Sequence, residues 1–174
     1  AIEQMFGLLA VRSGVTDRAD AAPLAVRGAR IEFRDVGFRY HAAREILHGV
    51  SFTIEPGTKL AVVGASGAGK STLVKLLFRF YDASSGAILI DGQDIRSVTQ
   101  QSLRAAIGIV PQDTVLFNAT LAQNIRFGRP GASDAEVQEA VRMAHLADFV
   151  ASLPEGLATR VGERGLKLSG GERQ

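Results

Sequence analysis

The sequence predicts a mixed α/β domain with a strand-rich first part, followed by a helical portion. Three observations carry this. Alternating apolar residues between positions 30 and 54 read as strands. A continuous apolar run, Leu60-Ala61-Val62-Val63, enters a glycine-rich loop, and a helix-periodic run of Leu73, Val74, Leu76 and Leu77 leaves it. From residue 113 onward strand signals fade and helix signals gather. With 174 residues, 46% of them hydrophobic and 22% charged, the chain has the composition of a globular protein and the length for a core.

Taken in order, Ile2, Met5, Phe6 and Leu9 fall on one helix face. Residues 13 to 23 are polar and small, a linker by composition. Ile31 and Phe33 alternate, then Val36, Phe38 and Tyr40 alternate after a slip at Arg34-Asp35, which reads as two short strands or one with a bulge. Residues 41 to 45 form a turn, and Val50, Phe52 and Ile54 a further strand. After the Glu55-Pro56-Gly57-Thr58 turn, Lys59 to Val63 reads as a buried strand from its unbroken apolar character. A helix is expected from Gly69 to Phe80. Residues 82 to 86 break it, and Phe78, Phe80 and Tyr81 read as packing residues. Ile88, Leu89 and Ile90 form a strand with a tight turn at Asp91-Gly92. Gln100 to Ala105 is a short helix. Ile107 to Val110 reads as a second buried strand, stopping at Pro111-Gln112. Ser133 and Glu136 have capping-box spacing, and apolar residues from Val137 to Leu153 continue on helical spacing up to Pro154-Glu155-Gly156.

Chemistry concentrates in Gly64-Ala65-Ser66-Gly67-Ala68-Gly69-Lys70-Ser71-Thr72, the pattern G-x-x-x-x-G-K-[ST] between strand and helix. Its glycines let the backbone approach a ligand closely. Successive N–H groups and the helix N-terminus then make a concave site for phosphate oxygens. Lys70 can reach the β- and γ-phosphates, and the Ser71 hydroxyl can ligate Mg²⁺, which keeps water and phosphate oxygens as its other ligands. This is a nucleoside-triphosphate site. A second anion site is expected at Ser169-Gly170-Gly171-Glu172, where capping-box spacing starts a helix and two glycines leave its first amides bare. Both loops could face one ligand within one chain, or the second could serve the ligand of another copy.

Composition excludes other classes. Net charge is +2 and the Lys and Arg are scattered, which leaves no footprint for nucleic acid. There are no cysteines, so neither disulfides nor thiolate metal sites. His41, His48 and His145 are isolated and take no role. No apolar run reaches the roughly 18 residues of a membrane span. Ala1 at the start, with Glu3 where a signal peptide would be basic, suggests a piece of something longer.

Gly64–Thr72 together with Leu168-Ser169-Gly170-Gly171-Glu172-Arg173-Gln174 resembles the Walker A and signature motifs of an ATP-binding-cassette (ABC) ATPase. Between them, Tyr40 resembles the aromatic residue that stacks on adenine. Gln112 resembles the glutamine that contacts Mg²⁺ or the attacking water and moves with the membrane partner. The segment 159 to 165 resembles the one preceding the signature in exporters, where Glu163 would touch the membrane domain. The resemblance covers roughly residues 30 to 174 and implies a P-loop NTPase fold, a RecA-like core with an antiparallel β subdomain. Residues 1–22 would be the end of a last transmembrane helix with its linker, 23–112 the ATP-binding core, and 113–174 the helical subdomain.

The implied ATP ligands are Tyr40, Gly64, Ser66, Gly67, Gly69, Lys70, Ser71, Thr72 and Gln112, with Ser169, Gly170 and Gly171 of a second copy closing the site in a head-to-tail dimer. Lys70 and Gln112 would be catalytic, and Ser71 and Gln112 would hold Mg²⁺. The setting would be the cytoplasmic face of a membrane, in an exporter of the mitochondrial or heavy-metal-tolerance branch. The family's Walker B strand, catalytic glutamate, D-loop and switch histidine have no counterpart in the sequence, and neither Asp91 nor Asp113 closes a suitable apolar strand. The C-terminal part of the core is therefore expected to be missing, with weak ATP binding and negligible hydrolysis. Two other readings compete: a soluble ABC-type ATPase of DNA repair or translation, and a nucleotide or small-molecule kinase. The segment 159–165 favours the exporter over the first, and Ser169–Glu172 argues against the second.

Overall fold

The computed structural model describes residues 14–41, 44–111, 115–162 and 168–173. They fall into two compact units, one up to Gly108 and one from Ile109.

The first unit is built on a four-stranded antiparallel sheet. β1 (Ile31–His41) pairs with β2 (Arg44–Ile54) on one side and β3 (Ser85–Ile90) on the other, and β4 (Gln93–Asp94) lies outside β3. The register sets Phe33 opposite Phe52 and Ile88, and the Phe33 and Phe52 rings stack at 4.5 Å. The slip at Arg34-Asp35 is a bulge within one strand: Asp35 has φ 49° and its N–H donates to Ser51 Oγ at 2.8 Å. The bulge keeps Phe33, Val36 and Phe38 all buried although their spacing is uneven. At the β3–β4 turn Asp91 and Gly92 both have left-handed φ, 48° and 77°, as a two-residue turn between twisted strands requires.

Against this sheet packs α1 (Lys70–Leu77), whose Leu76 joins Phe33, Val36, Leu47, Ile88 and Leu103 in one apolar core. Leu103 comes from α2 (Gln100–Ala105), which matches the expected span and is capped by Thr99. α1 is shorter than its periodicity suggests. Phe78 closes it, Arg79 N–H donates to Leu76 O and Phe80 N–H to Lys75 O, and Arg79 takes φ 52°.

The two expected buried strands are not formed. Lys59–Val63 and Ile107–Val110 carry no ladder hydrogen bonds, and Val63 is 88% and Val110 71% exposed. Continuous apolar character signals a strand flanked on both sides, and no described strand pairs with either run. Leu60 and Val62 instead border, with Leu73 and Val74 of α1, an open apolar cleft of about 410 Å³.

The second unit holds α3 (Leu121–Arg126), α4 (Asp134–Met143) and α5 (Ala147–Ser152), with a short ladder of β5 (Ala119–Thr120) and β6 (Arg160–Val161). Leu121, Val161 and Leu168 centre its core. The Ser133–Glu136 capping box is present, and a second, Thr120–Gln123, opens α3. The long helical run is two helices. Leu146 N–H donates to Val141 O and His145 N–H to Arg142 O, with His145 at φ 57°, so the chain turns and restarts without losing the apolar spacing. Among the described residues no helix is long and apolar enough to cross a membrane.

Candidate nucleotide-binding site

Residues 64 to 69 bend sharply into α1. Gly69 sits at its N-cap with φ 88°, and Gly67 has φ 80°. A Cβ at Gly69 would stand 2.8 Å from Leu47 Cδ2 and 3.3 Å from Ile46 Cγ2, so both conformation and space call for glycine. No side chain caps α1. Its first turn therefore presents backbone amides and the positive end of the helix dipole outward, the arrangement that receives an anion.

Lys70 folds back over the loop, its Nζ donating to the carbonyls of Gly64 and Ala65, both at 2.7 Å. The ammonium is thus held above the concavity it would share with phosphate oxygens. Ser66 and Ser71 are exposed, while Thr72 is buried. The Tyr40 hydroxyl, from the end of β1, lies 3.3 Å from Thr72 Oγ1. Tyr40 meets Phe38 edge-on at 4.8 Å and Tyr81 edge-on at 5.1 Å, and the Lys75 ammonium stands 5.5 Å from its ring centre. An aromatic platform therefore borders the phosphate loop. The family resemblance implies Tyr40 at the nucleotide, whereas Tyr81 is expected only to pack and Lys75 takes no role; no pattern in the sequence marks either.

In the second unit, Ser169 N–H donates to Glu172 Oε2 at 2.6 Å, and Glu172 N–H donates to Ser169 Oγ at 3.4 Å, opening α6 (Gly170–Arg173). The backbone N–H and then the hydroxyl of Ser169 hold the Glu172 carboxyl below its usual range. A Cβ on Gly170 or Gly171 would meet nothing within 4 Å, so both backbones stand open. Gln112 and Glu163 lie outside the described residues.

Among the described residues no cluster of His, Cys, Asp or Glu could hold a metal ion. The exposed Ser71 hydroxyl beside Lys70 fits the sparse protein contribution that Mg²⁺ accepts when phosphate and water complete its shell.

A loop shaped for phosphates on a helix N-terminus, with an aromatic platform beside it, is the arrangement of a nucleotide-binding domain of the P-loop class. The ABC transporter family model matches residues 47–174, and the chain belongs to that family. It is 58% identical over 173 residues to ATP-binding cassette sub-family B member 6 of Rattus norvegicus, covering 99% of the chain and 21% of that protein. It is 58% identical over 171 residues to the ATM1-type heavy metal exporter of Novosphingobium aromaticivorans, covering 98% of the chain and 28% of that protein. To the mitochondrial iron-sulfur clusters transporter atm1 of Aspergillus fumigatus it is 52% identical, covering 99% and 24%. A solved bacterial Atm1-family ABC exporter with ATP bound superposes with a TM-score of 0.92 at 57% identity, covering 99% of this chain and 30% of that one. The fold is that of the ABC ATPase domain. The chain spans between about a fifth and three tenths of the length of these relatives.

Proposed function

We propose that this chain is the ATP-binding domain of an exporter of the Atm1 kind, and that the protein containing it couples ATP hydrolysis to transport across a membrane. The observation that carries the reading is the glycine-rich loop at the head of α1, with Lys70 poised over the Gly64 and Ala65 carbonyls. The relatives support the exporter assignment, since several of them are named as exporters or transporters.

In this reading Lys70 exchanges its two carbonyl contacts for the β- and γ-phosphates, and the α1 amides receive the remaining phosphate oxygens. Tyr40 stacks on the adenine, at a platform braced by Phe38 and Tyr81. Mg²⁺, when bound through the Ser71 hydroxyl with Gln112, neutralises charge on the triphosphate. Ser169, Gly170 and Gly171 of a second copy close the site from the other side. A closed dimer then binds ATP better than ADP, and that difference is what a switch needs. Gln112 and Glu163 carry closure to the membrane domain, and the domain works on the cytoplasmic face of that membrane.

Water attack on the γ-phosphate yields ADP and phosphate, and needs a group that orients the water. None of the residues assigned to the site in this reading is a carboxylate, so the chain alone should turn ATP over negligibly, and with only one side of a two-sided site it should bind ATP weakly. Phosphate release from the chain, measured with saturating Mg-ATP, tests this. The expected rate is indistinguishable from a Lys70→Met variant, and turnover near one per second, roughly that of an ordinary ATPase, would contradict it.

A further inference from the structure

Arg79 follows the cap of α1 and is 2% exposed, yet nothing in the nucleotide reading uses it. It occupies the left-handed position that ends a helix, where glycine is usual, with φ 52°. An arginine pays for that backbone only where surrounding contacts hold it there. Here they are extensive. Its Nε donates to Asp82 Oδ1 at 2.9 Å, and its terminal nitrogens donate to Thr16 O at 3.1 Å, Val98 O at 3.2 Å, Ile95 O at 3.4 Å and Asp17 Oδ1 at 3.4 Å.

Asp17 is shared. It accepts from Gln100 N–H at 3.1 Å and from Gln100 Nε2 at 3.0 Å, at the start of α2. From the last turn of α2, Arg104 donates to the carbonyls of Phe78 and Arg79, both at 3.1 Å, and to Gln100 Oε1 at 2.8 Å. The segment around Asp17, the end of α1, and Gln100 and Arg104 of α2 are thus closed into one ring of hydrogen bonds. The stretch that composition reads as a linker is fastened down, and Ala22 continues the attachment as a bridge to Val98.

We propose that Arg79 and Asp17 are positioning residues for the phosphate loop: they clasp the incoming segment to the end of α1, so that a shift of that segment is carried along the helix to Lys70. The proposal rests on the nucleotide reading above. α1 is a rigid rod about 12 Å long, with the clasp at one end and the phosphate loop at the other. Its two ends cannot move independently while Leu76 anchors it in the core.

The test compares Asp17→Ala, Asp17→Glu and Arg79→Gly in the full chain, by amide hydrogen exchange and by ATP titration. Arg79→Gly removes the guanidinium but relieves the left-handed backbone, so a fold that survives it isolates the clasp. Asp17→Ala, at a half-exposed residue, is the milder variant. Both should speed exchange across residues 64–77 and weaken ATP binding about fivefold, a coupling of ordinary size. Asp17→Glu should restore both, and exchange across residues 85–94 should not change. Exchange altered only at 14–18 and 100–104, with ATP affinity within twofold of wild type, would overturn the proposal. A wild-type chain that binds no ATP overturns the nucleotide reading instead, and exchange across 64–72 then decides the clasp by itself.

Discussion

The hydroxyl of Tyr40 stands 3.3 Å from Thr72 Oγ1, joining the outer end of β1 to the first turn of α1. The aromatic platform and the phosphate loop therefore share a direct contact, although 32 residues separate them in the chain. Tyr40→Ala should weaken ATP binding about tenfold, within the range of losing one base–aromatic stack. Tyr40→Phe should cost threefold or less, about one hydrogen bond. Binding of inorganic tripolyphosphate, which has no base, should be the same in all three proteins. Calorimetric titration of each ligand checks this, and a tripolyphosphate affinity that falls with the ATP affinity would count against stacking.

Gly69 faces Leu47 and Ile46 with no room for a Cβ, and its φ of 88° suits glycine alone. Gly69→Ala should displace the loop from the sheet edge. We expect destabilisation of about 2 kcal/mol, combining a backbone and an overpacking cost, with a larger proportional loss in ATP affinity. Urea unfolding and ATP titration of the variant measure the two effects separately.

Leu76 is fully buried between α1 and the sheet. Leu76→Ala should cost about 2–5 kcal/mol, the transfer term plus the cavity left behind. The urea midpoint reads this loss. A change below about 1 kcal/mol would mean that α1 is not anchored by this core.

These features differ in how far the sequence discloses them. The strands of β1 and β2, the Asp91-Gly92 turn, α2 and the Ser133–Glu136 box follow from local chemistry, and each is present. The runs at 59–63 and 107–110 do not follow, because a flanked strand is made by its neighbours and the apolar run records only the demand for them. Arg79 is opaque for the opposite reason. A charged residue after a helix reads as exposed, and its burial depends on carbonyls from residues 16, 95 and 98 that only the fold assembles. The break at His145 hides because its turn preserves the helical spacing of the apolar residues on either side.

Asp91 accepts backbone N–H groups from Arg27, Gly28 and Ala29 at one oxygen and from Arg30 at the other. These bonds, that of Arg27 foremost, hold its carboxyl far below the usual range. The folded-state pKa thus lies below the unfolded value of about 3.9. The stabilisation is complete above that value and is lost as pH falls below it toward the depressed one. Asp91→Asn should lower the thermal midpoint by a few degrees at pH 7 and by less at pH 3. Melting curves at the two pH values check the sign, and a larger loss at pH 3 would contradict it.

The most direct test of the central claim is an Mg-ATP titration of the chain beside its Lys70→Met variant, followed by calorimetry. The account predicts weak, saturable binding that falls about tenfold or more when the ammonium over Gly64 and Ala65 is removed, as loss of a charge-assisted phosphate contact requires. Binding unaffected by Lys70→Met, or no saturable binding by the wild-type chain, would contradict it.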